Sequence, residues 1–243
     1  MKLLDDEVVR GVRHRGLLLD VGGRAVPGAL WSPPEPPEPG SPLVLIGHGA
    51  SGSRYQGYVR RLGRSLAAEF SIAAAAIDGP VHGARREDGG RDGRRAFLDF
   101  AAMWSSDAQM TDRMVEDWRA TLDALLDLPG VRGPVGYWGL SMGTILGLPF
   151  VAADERVEAA VLGLMGATGP TAERIMSDAV RVRCPVAFLV QWSDELFPKE
   201  TAFELFEALG SPDKTLHANP GPHGGVPDRE FAWSARYLAS RLS

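Results

Sequence analysis

The chain has 243 residues, 44% of them hydrophobic, enough for a sizeable core in a single α/β domain spanning residues 1–243. A net charge of −5 argues against a nucleic-acid surface or an anionic membrane as partner. The single cysteine, Cys184, excludes an internal disulfide and a cysteine-based zinc cluster; ahead of Pro185 and an apolar run, it reads as a buried, inert thiol.

The N-terminal stretch MKLLDDEVVR is acidic and lacks the apolar core of a secretory signal, and no run of 18 apolar residues follows anywhere. A cytoplasmic protein without a membrane span is expected, although a mature exported form would read the same way. Gly16–Val21 and Ala25–Trp31 flank Gly22-Gly23-Arg24 as a hairpin. Residues 32–42, SPPEPPEPGSP, cannot be helix or central strand and read as a surface loop. Leu43–Ile46 is wholly apolar, the mark of a buried central strand. The loop Gly47-His48-Gly49-Ala50-Ser51-Gly52 then offers backbone N–H groups. Tyr55, Val59, Leu62, Leu66 and Phe70 recur at helical spacing, and Ile72–Ile77 is a second buried strand. Strand, helix, strand is the unit of a parallel sheet.

Residues 81–96 are rich in glycine and arginine and read as a solvated loop, with a lid or an anion site as the sharper alternative. Phe97, Leu98, Phe100, Met103 and Trp104 are too apolar for a free loop and should pack against something, a binding cleft being one choice. Met110, Met114, Trp118, Leu122 and Leu125 mark a long helix ending at Pro129-Gly130. Further on, strands are expected at Val157–Leu164, Val186–Gln191 and Thr215–His217. Helices are expected around Ala172–Val180, Lys199–Leu209 and Asp228–Leu242.

The stretch Val135–Gly147 organises the rest. It runs from an apolar strand into a helix through Gly139-Leu140-Ser141-Met142-Gly143, a G-x-S-x-G. A sharp strand-to-helix turn forces its central residue into a strained conformation, and the flanking glycines let backbone approach without a Cβ clash. Ser141 is then exposed above the sheet beside a helix N-terminus. Pro149, two turns on, should kink that helix or end it early.

A serine hydroxyl needs a base, and the base needs a carboxylate to orient it. Of five histidines, His223 follows the last strand in the rigid turn Pro220-Gly221-Pro222-His223-Gly224-Gly225 and fits best, with His217 next. His14, His48 and His82 lack a supporting motif, and His48 suits a structural hydrogen bond. The acid should end a neighbouring strand, where Asp194 and Glu195 stand; Asp194, shorter and nearer the turn, is preferred. For this pair a helix N-terminal charge role is the bland alternative.

The order Ser141, Asp194, His223 is that of an α/β-hydrolase, and the sequence resembles that superfamily from the Gly47-His48-Gly49 loop to the terminal helix. Ile77-Asp78-Gly79-Pro80-Val81-His82-Gly83 and Pro220-Gly221-Pro222-His223-Gly224 resemble the dienelactone-hydrolase-like and small esterase branches. Dienelactone hydrolase has a cysteine nucleophile where this chain has Ser141, which favours ordinary esters. The resemblance implies an α/β-hydrolase fold: a mostly parallel sheet of about eight strands with helices on both faces. It also implies an oxyanion hole from the N–H groups of Ala50 and Met142, and such donors contribute about 3 to 4 kcal/mol each in the transition state. Family members often carry a large cap between the strands matching Val157–Leu164 and Val186–Gln191. Few residues lie there in this chain, so a minimal cap is expected, with the Phe97–Trp104 segment as partial cover.

The activity expected is therefore hydrolysis of carboxylic esters with small or medium acyl groups, in a pocket formed by Trp104, Met165, Trp192, Leu196 and Phe197. The partner is a small-molecule ester; no cofactor or metal is implied, and a homo-oligomer is left open. A thioesterase, lactonase, amidase or acyltransferase would use the same three residues, and a catalytically silent receptor is the alternative from another class.

Overall fold

Apolar residues in the central strands alternate between two faces, and that alternation decides where the helices pack. The computed structural model describes residues 1–35 and 40–243. Its strands are β1 (Lys2–Val9), β2 (Val12–Val21), β3 (Arg24–Ser32), β4 (Ser41–Gly47), β5 (Ala73–Ile77), β6 (Val131–Gly139), β7 (Val157–Gly163), β8 (Val186–Gln191) and β9 (Lys214–Asn219). Its helices are α1 (Gly57–Phe70), α2 (Gly93–Ser106), α3 (Met110–Leu126), α4 (Met142–Ala153), α5 (Ala172–Ala179), α6 (Lys199–Ala208) and α7 (Asp228–Arg241). The nine strands form one sheet in the order β1-β2-β3-β5-β4-β6-β7-β8-β9. The first three strands run antiparallel to their neighbours, and from β5 to β9 every pairing is parallel.

Leu43, Leu45 and Tyr137 face one side, where they meet α3, α4, α5 and α6 through Trp118, Leu148, Ile175 and Leu205. Val44, Ile46 and Trp138 face the other, against α1 and α7 through Leu62, Leu66 and Leu238. Burying both faces is what a parallel sheet requires, and it explains why β4 and β5 read as unbroken apolar runs.

Three expectations need correction. The sheet has nine strands rather than about eight, because β1 was not anticipated: every residue of KLLDDEVV is exposed, so the strand carries no buried alternation. Residues 93–96 are not loop, and the Phe97–Trp104 segment is helical. Both belong to α2, which opens when the Asp92 carboxylate accepts the Arg94 and Arg95 N–H groups. Helix α4 passes through Pro149 and ends only at Ala153. The proline-rich stretch 32–42 falls partly outside the described residues; its ends belong to β3 and β4.

Tyr137, wholly buried, stands under α4 and donates its hydroxyl to Gly143 O at 2.7 Å. A Cβ on Gly147 would fall inside the Tyr137 ring. Alanine would recover about 1 kcal/mol of helix propensity at that position, but the ring is wholly buried, with the Trp118 and Phe150 rings 5.7 and 6.0 Å from it. Gly147→Ala is expected to lower unfolding free energy by roughly 1–3 kcal/mol net, measured as a shifted urea midpoint at unchanged slope.

Candidate active site

The link from β6 to α4 places the serine. Ser141 has φ 58° and ψ −121°, a backbone region that costs a non-glycine residue about 1–3 kcal/mol. Its neighbours hold it there. Ser141 N–H donates to Gly163 O at 3.0 Å, and its carbonyl accepts from Thr144 N and Ile145 N at 2.7 and 2.9 Å. The Thr144 hydroxyl lies 2.8 Å from Gly139 O and 2.7 Å from Gly163 O, and accepts the Gly163 N–H. A Cβ on Gly143 would stand 2.6 Å from Gly47 O, and one on Gly139 would stand 2.6 Å from Gly143 O. Backbone-to-backbone contact this close admits only glycine at both positions.

Ser141, Asp194 and His223 come together. His223 Nε2 lies 2.9 Å from Ser141 Oγ, and His223 Nδ1 lies 2.8 Å from Asp194 Oδ2. Asp194 Oδ1 accepts from Leu196 N and Phe197 N at 2.8 and 2.9 Å. Burial opposes ionisation of the Asp194 carboxyl, but the bonds from His223, Phe197 and Leu196 outweigh it and hold its pKa below the usual carboxylate value. Glu195 does something else: its Oε2 accepts the backbone N–H of His223 at 2.8 Å. Gln191 joins it, donating Nε2–H to Pro222 O at 3.0 Å, while Ser193 N–H donates to Gly221 O at 3.0 Å. Sequence reasoning passed over Gln191; the signal was a polar side chain ending an otherwise apolar strand.

The other histidines are held elsewhere. His217 Nδ1 lies 2.9 Å from Glu230 Oε2, and His14 Nδ1 lies 3.6 Å from Glu7 Oε1. His48 donates Nδ1–H to Gly49 O at 2.9 Å and accepts Gly79 N–H on Nε2 at 2.9 Å. His82 sets Nε2 2.7 Å from Ala50 O and Nδ1 2.5 Å from Pro80 O. Ala50 and Met142 flank the serine, in the Gly-rich loop and at the first residue of α4; among the described residues neither N–H meets a protein acceptor.

A cavity of about 520 Å³ opens on Ser141 and His223, walled by Tyr58, Phe97, Leu140, Leu164, Leu196 and Phe231. Of the five residues expected to form the pocket, Leu196 lines this cavity. Trp104, Met165, Trp192 and Phe197 do not. Trp192 is half-exposed and rests on Phe203 and Lys199. Met165 is wholly buried in the core. Phe197 stands beside the His223 ring at 5.7 Å, with Trp104 behind it at 6.4 Å. Tyr58 and Phe231 were overlooked because both sit on amphipathic helices, where an aromatic residue reads as core. Three of the five arginines of the 81–96 segment are engaged: Arg85 with Asp117 at 2.7 Å, Arg86 with Asp88 and Asp99, Arg95 with Asp99. Burial raises the Cys184 thiol to about 12, so it stays protonated and unreactive.

The cap is small. Between β7 and β8 the only helix among the described residues is the eight-residue α5. Among those residues no group of histidine, cysteine and carboxylate side chains could hold a metal ion, and no helix is long and apolar enough to cross a membrane.

No family model and no curated protein sequence matches the chain. Solved structures do. A cold-adapted esterase from an Arctic intertidal metagenomic library, in complex with polyethylene glycol, is 42% identical over the full length of both chains with a TM-score of 0.88. This chain belongs to the esterases of the α/β-hydrolase superfamily. An acetyl xylan esterase from Paenibacillus (21% identity, 99% of this chain and 88% of that one, TM-score 0.75) shares the fold. So does a dienelactone hydrolase from Anabaena variabilis (21% identity, 96% and 97% covered, TM-score 0.69).

His48 gives the esterase a pH-dependent stability. Burial and the neighbouring His82 lower its pKa from 6.5 to about 3, against the pull of Gly49 O. The unfolded chain therefore takes up this proton first, so the contribution is complete above pH 6.5 and is lost as pH falls toward 3. At pH 5 the loss from His48 alone is about 2 kcal/mol. Urea unfolding at pH 7 and pH 5 should record it, with a smaller pH difference in His48→Asn.

Proposed function

We propose that the esterase works by two-step acyl transfer, with Ser141 as nucleophile, His223 as base and then acid, and Asp194 as the group that orients the imidazole. The observation that carries this reading is the chain of two hydrogen bonds, 2.9 Å from Ser141 Oγ to His223 Nε2 and 2.8 Å from His223 Nδ1 to Asp194 Oδ2. His223 takes the serine proton as Oγ attacks the ester carbonyl. Ala50 N–H and Met142 N–H receive the developing oxyanion. The alcohol leaves with the proton from His223, and water activated by the same imidazole releases the acid. Substrates are small-molecule carboxylic esters, as the activity of the 42%-identical esterase supports. The one sheet that takes strands from both ends of the chain supports action as a single domain, and the lone Cys184 suits a cytoplasmic location.

Ser141→Ala should abolish hydrolysis of p-nitrophenyl acetate with the far-UV spectrum unchanged; retained activity would remove Ser141 from the nucleophile role. Asp194→Asn should lower kcat by about 10⁴, as in a related triad, because the amide favours the wrong imidazole tautomer. Glu195→Gln should cost little, since a glutamine oxygen still accepts the His223 N–H; equal losses would reverse the two assignments.

We further infer a preference for small or medium acyl groups. The cavity is open, with Phe97 of α2 on one side, and its wall includes the charged Arg61 and Asp228 beside the apolar Tyr58 and Phe231. Each methylene buried adds only about 0.8 kcal/mol, and a long apolar chain would run out onto these charges. kcat/KM should therefore peak by butyrate or octanoate; a rise continuing to palmitate would point to a lipase.

A further inference from the structure

A second cavity, about 450 Å³, lies between the β1–β2 turn and α1. Its lining includes Arg10, Arg60, Arg61 and Arg64 against a single acid, Glu7. It adjoins the catalytic cavity: Gly57 and Arg61 line both. In a chain of net charge −5 this is a marked segregation of positive charge.

The arginines have few partners. Arg61 meets Asp228 at 3.2 Å, but the two side chains are 65% and 86% exposed, so the pair is weak. Arg64 donates to Val9 O at 3.2 Å. Among the described residues neither Arg10 nor Arg60 has a side-chain bond or ion pair. Helix stability does not explain the placement. Arg60 and Arg61 lie at the end of the first turn of α1, where the helix dipole disfavours cations, and that turn has no acid to offset them. The wall beside them is aromatic: His14 stands 5.6 Å from Tyr55 and 5.7 Å from Trp31, ring centre to ring centre.

We propose that this arginine-lined cavity binds a carboxylate carried at the far end of the ester substrate, with the scissile ester at Ser141 and the connecting chain lying along Tyr58 and Arg61. Guanidinium forks match a carboxylate bidentately. Two adjoining cavities, apolar at the serine and cationic at the other end, select a substrate that is apolar near its ester and anionic beyond it. The inference rests on Ser141 as the reacting centre.

The test uses two series of esters with tethers of increasing length, one with a terminal carboxylate on the acyl chain and one with it on the alcohol, each beside its neutral carboxamide counterpart. At the tether that reaches the groove, kcat/KM for the carboxylate form should exceed that for the neutral form by about tenfold, mainly through KM. Added salt should shrink the ratio. It should collapse in Arg60→Gln/Arg64→Gln and return in Arg60→Lys/Arg64→Lys. Because the readout is a ratio within one protein, a general loss of activity or stability cancels. No carboxylate preference at any length in either series, or a preference that survives the glutamine variant, overturns the proposal. Failure of the Ser141 reading would appear separately, as hydrolysis of both forms by Ser141→Ala.

Discussion

The contact between the Gly47 carbonyl and Gly143 is the constraint on which the site depends. It sets the distance between the C-terminal end of β4 and the start of α4, and so how tightly the β6–α4 link must turn. Because a Cβ there would sit 2.6 Å from Gly47 O, the helix can lie this close only with glycine at its second residue. Ser141 then takes a conformation that a serine would avoid, and the surrounding bonds determine it: Gly163 O on its N–H, and two helix N–H groups on its carbonyl. The cost of the strained turn is met by packing on both sides of it, Tyr137 beneath α4 and Trp138 against α7.

A second set of bonds brings the ends of β8 and β9 to the same place. Register along these strands pairs Gln191 with Asn219, so the two following loops leave the sheet side by side. Gln191, Ser193 and Glu195 then bind Pro222, Gly221 and His223 in turn. Trp192 N–H adds a bond to Asn219 O at 2.7 Å, so each residue from 191 to 195 bonds the facing segment, and the imidazole is fixed through its own backbone as well as through Asp194. The paired acids Asp194 and Glu195 thus divide the work: one holds the His223 ring and the other the His223 main chain.

Most of this was legible in the sequence because buried parallel strands and amphipathic helices have strong periodic signals. β4, β5, β7 and β8 and helices α3, α5, α6 and α7 lie within a few residues of their expected positions. β1 was not legible, since a strand with no buried face has no pattern to read. α2 was hidden by the arginines and glycines before it, although Asp92 offered an N-cap. At the site, Ser141, Asp194 and His223 could be picked out because chemistry restricts which residue types serve. The substrate wall could not: any large apolar side chain lines a cavity equally well, and whether Trp192 or Tyr58 faces the serine depends on the path of the turn after β8 and on the rotation of α1. Trp192 turned outward to Phe203 and Lys199, and Tyr58 turned inward, where its hydroxyl accepts Gly49 N–H at 2.6 Å.

The Gly49–Ala50 peptide draws these threads together. A trans peptide points its C=O and N–H in opposite directions. Gly49 O is held from one side by His48 Nδ1–H at 2.9 Å and by Gly52 N–H at 3.0 Å, so the Ala50 N–H of the same peptide is turned to the other side. The next carbonyl, Ala50 O, lies 2.7 Å from His82 Nε2, and the bond from Gly49 N–H to Tyr58 fixes the peptide before it. Three side chains from three different elements therefore aim one amide. Burial lowers the pKa of His48 to about 3, so that ring remains neutral near neutral pH. A neutral imidazole can donate from Nδ1 and accept on Nε2 at once, as His48 does between Gly49 O and Gly79 N–H; a charged one would lose the second bond. The desolvation that makes His48 a weak base is thus also what lets it link the loop after β4 to the loop after β5.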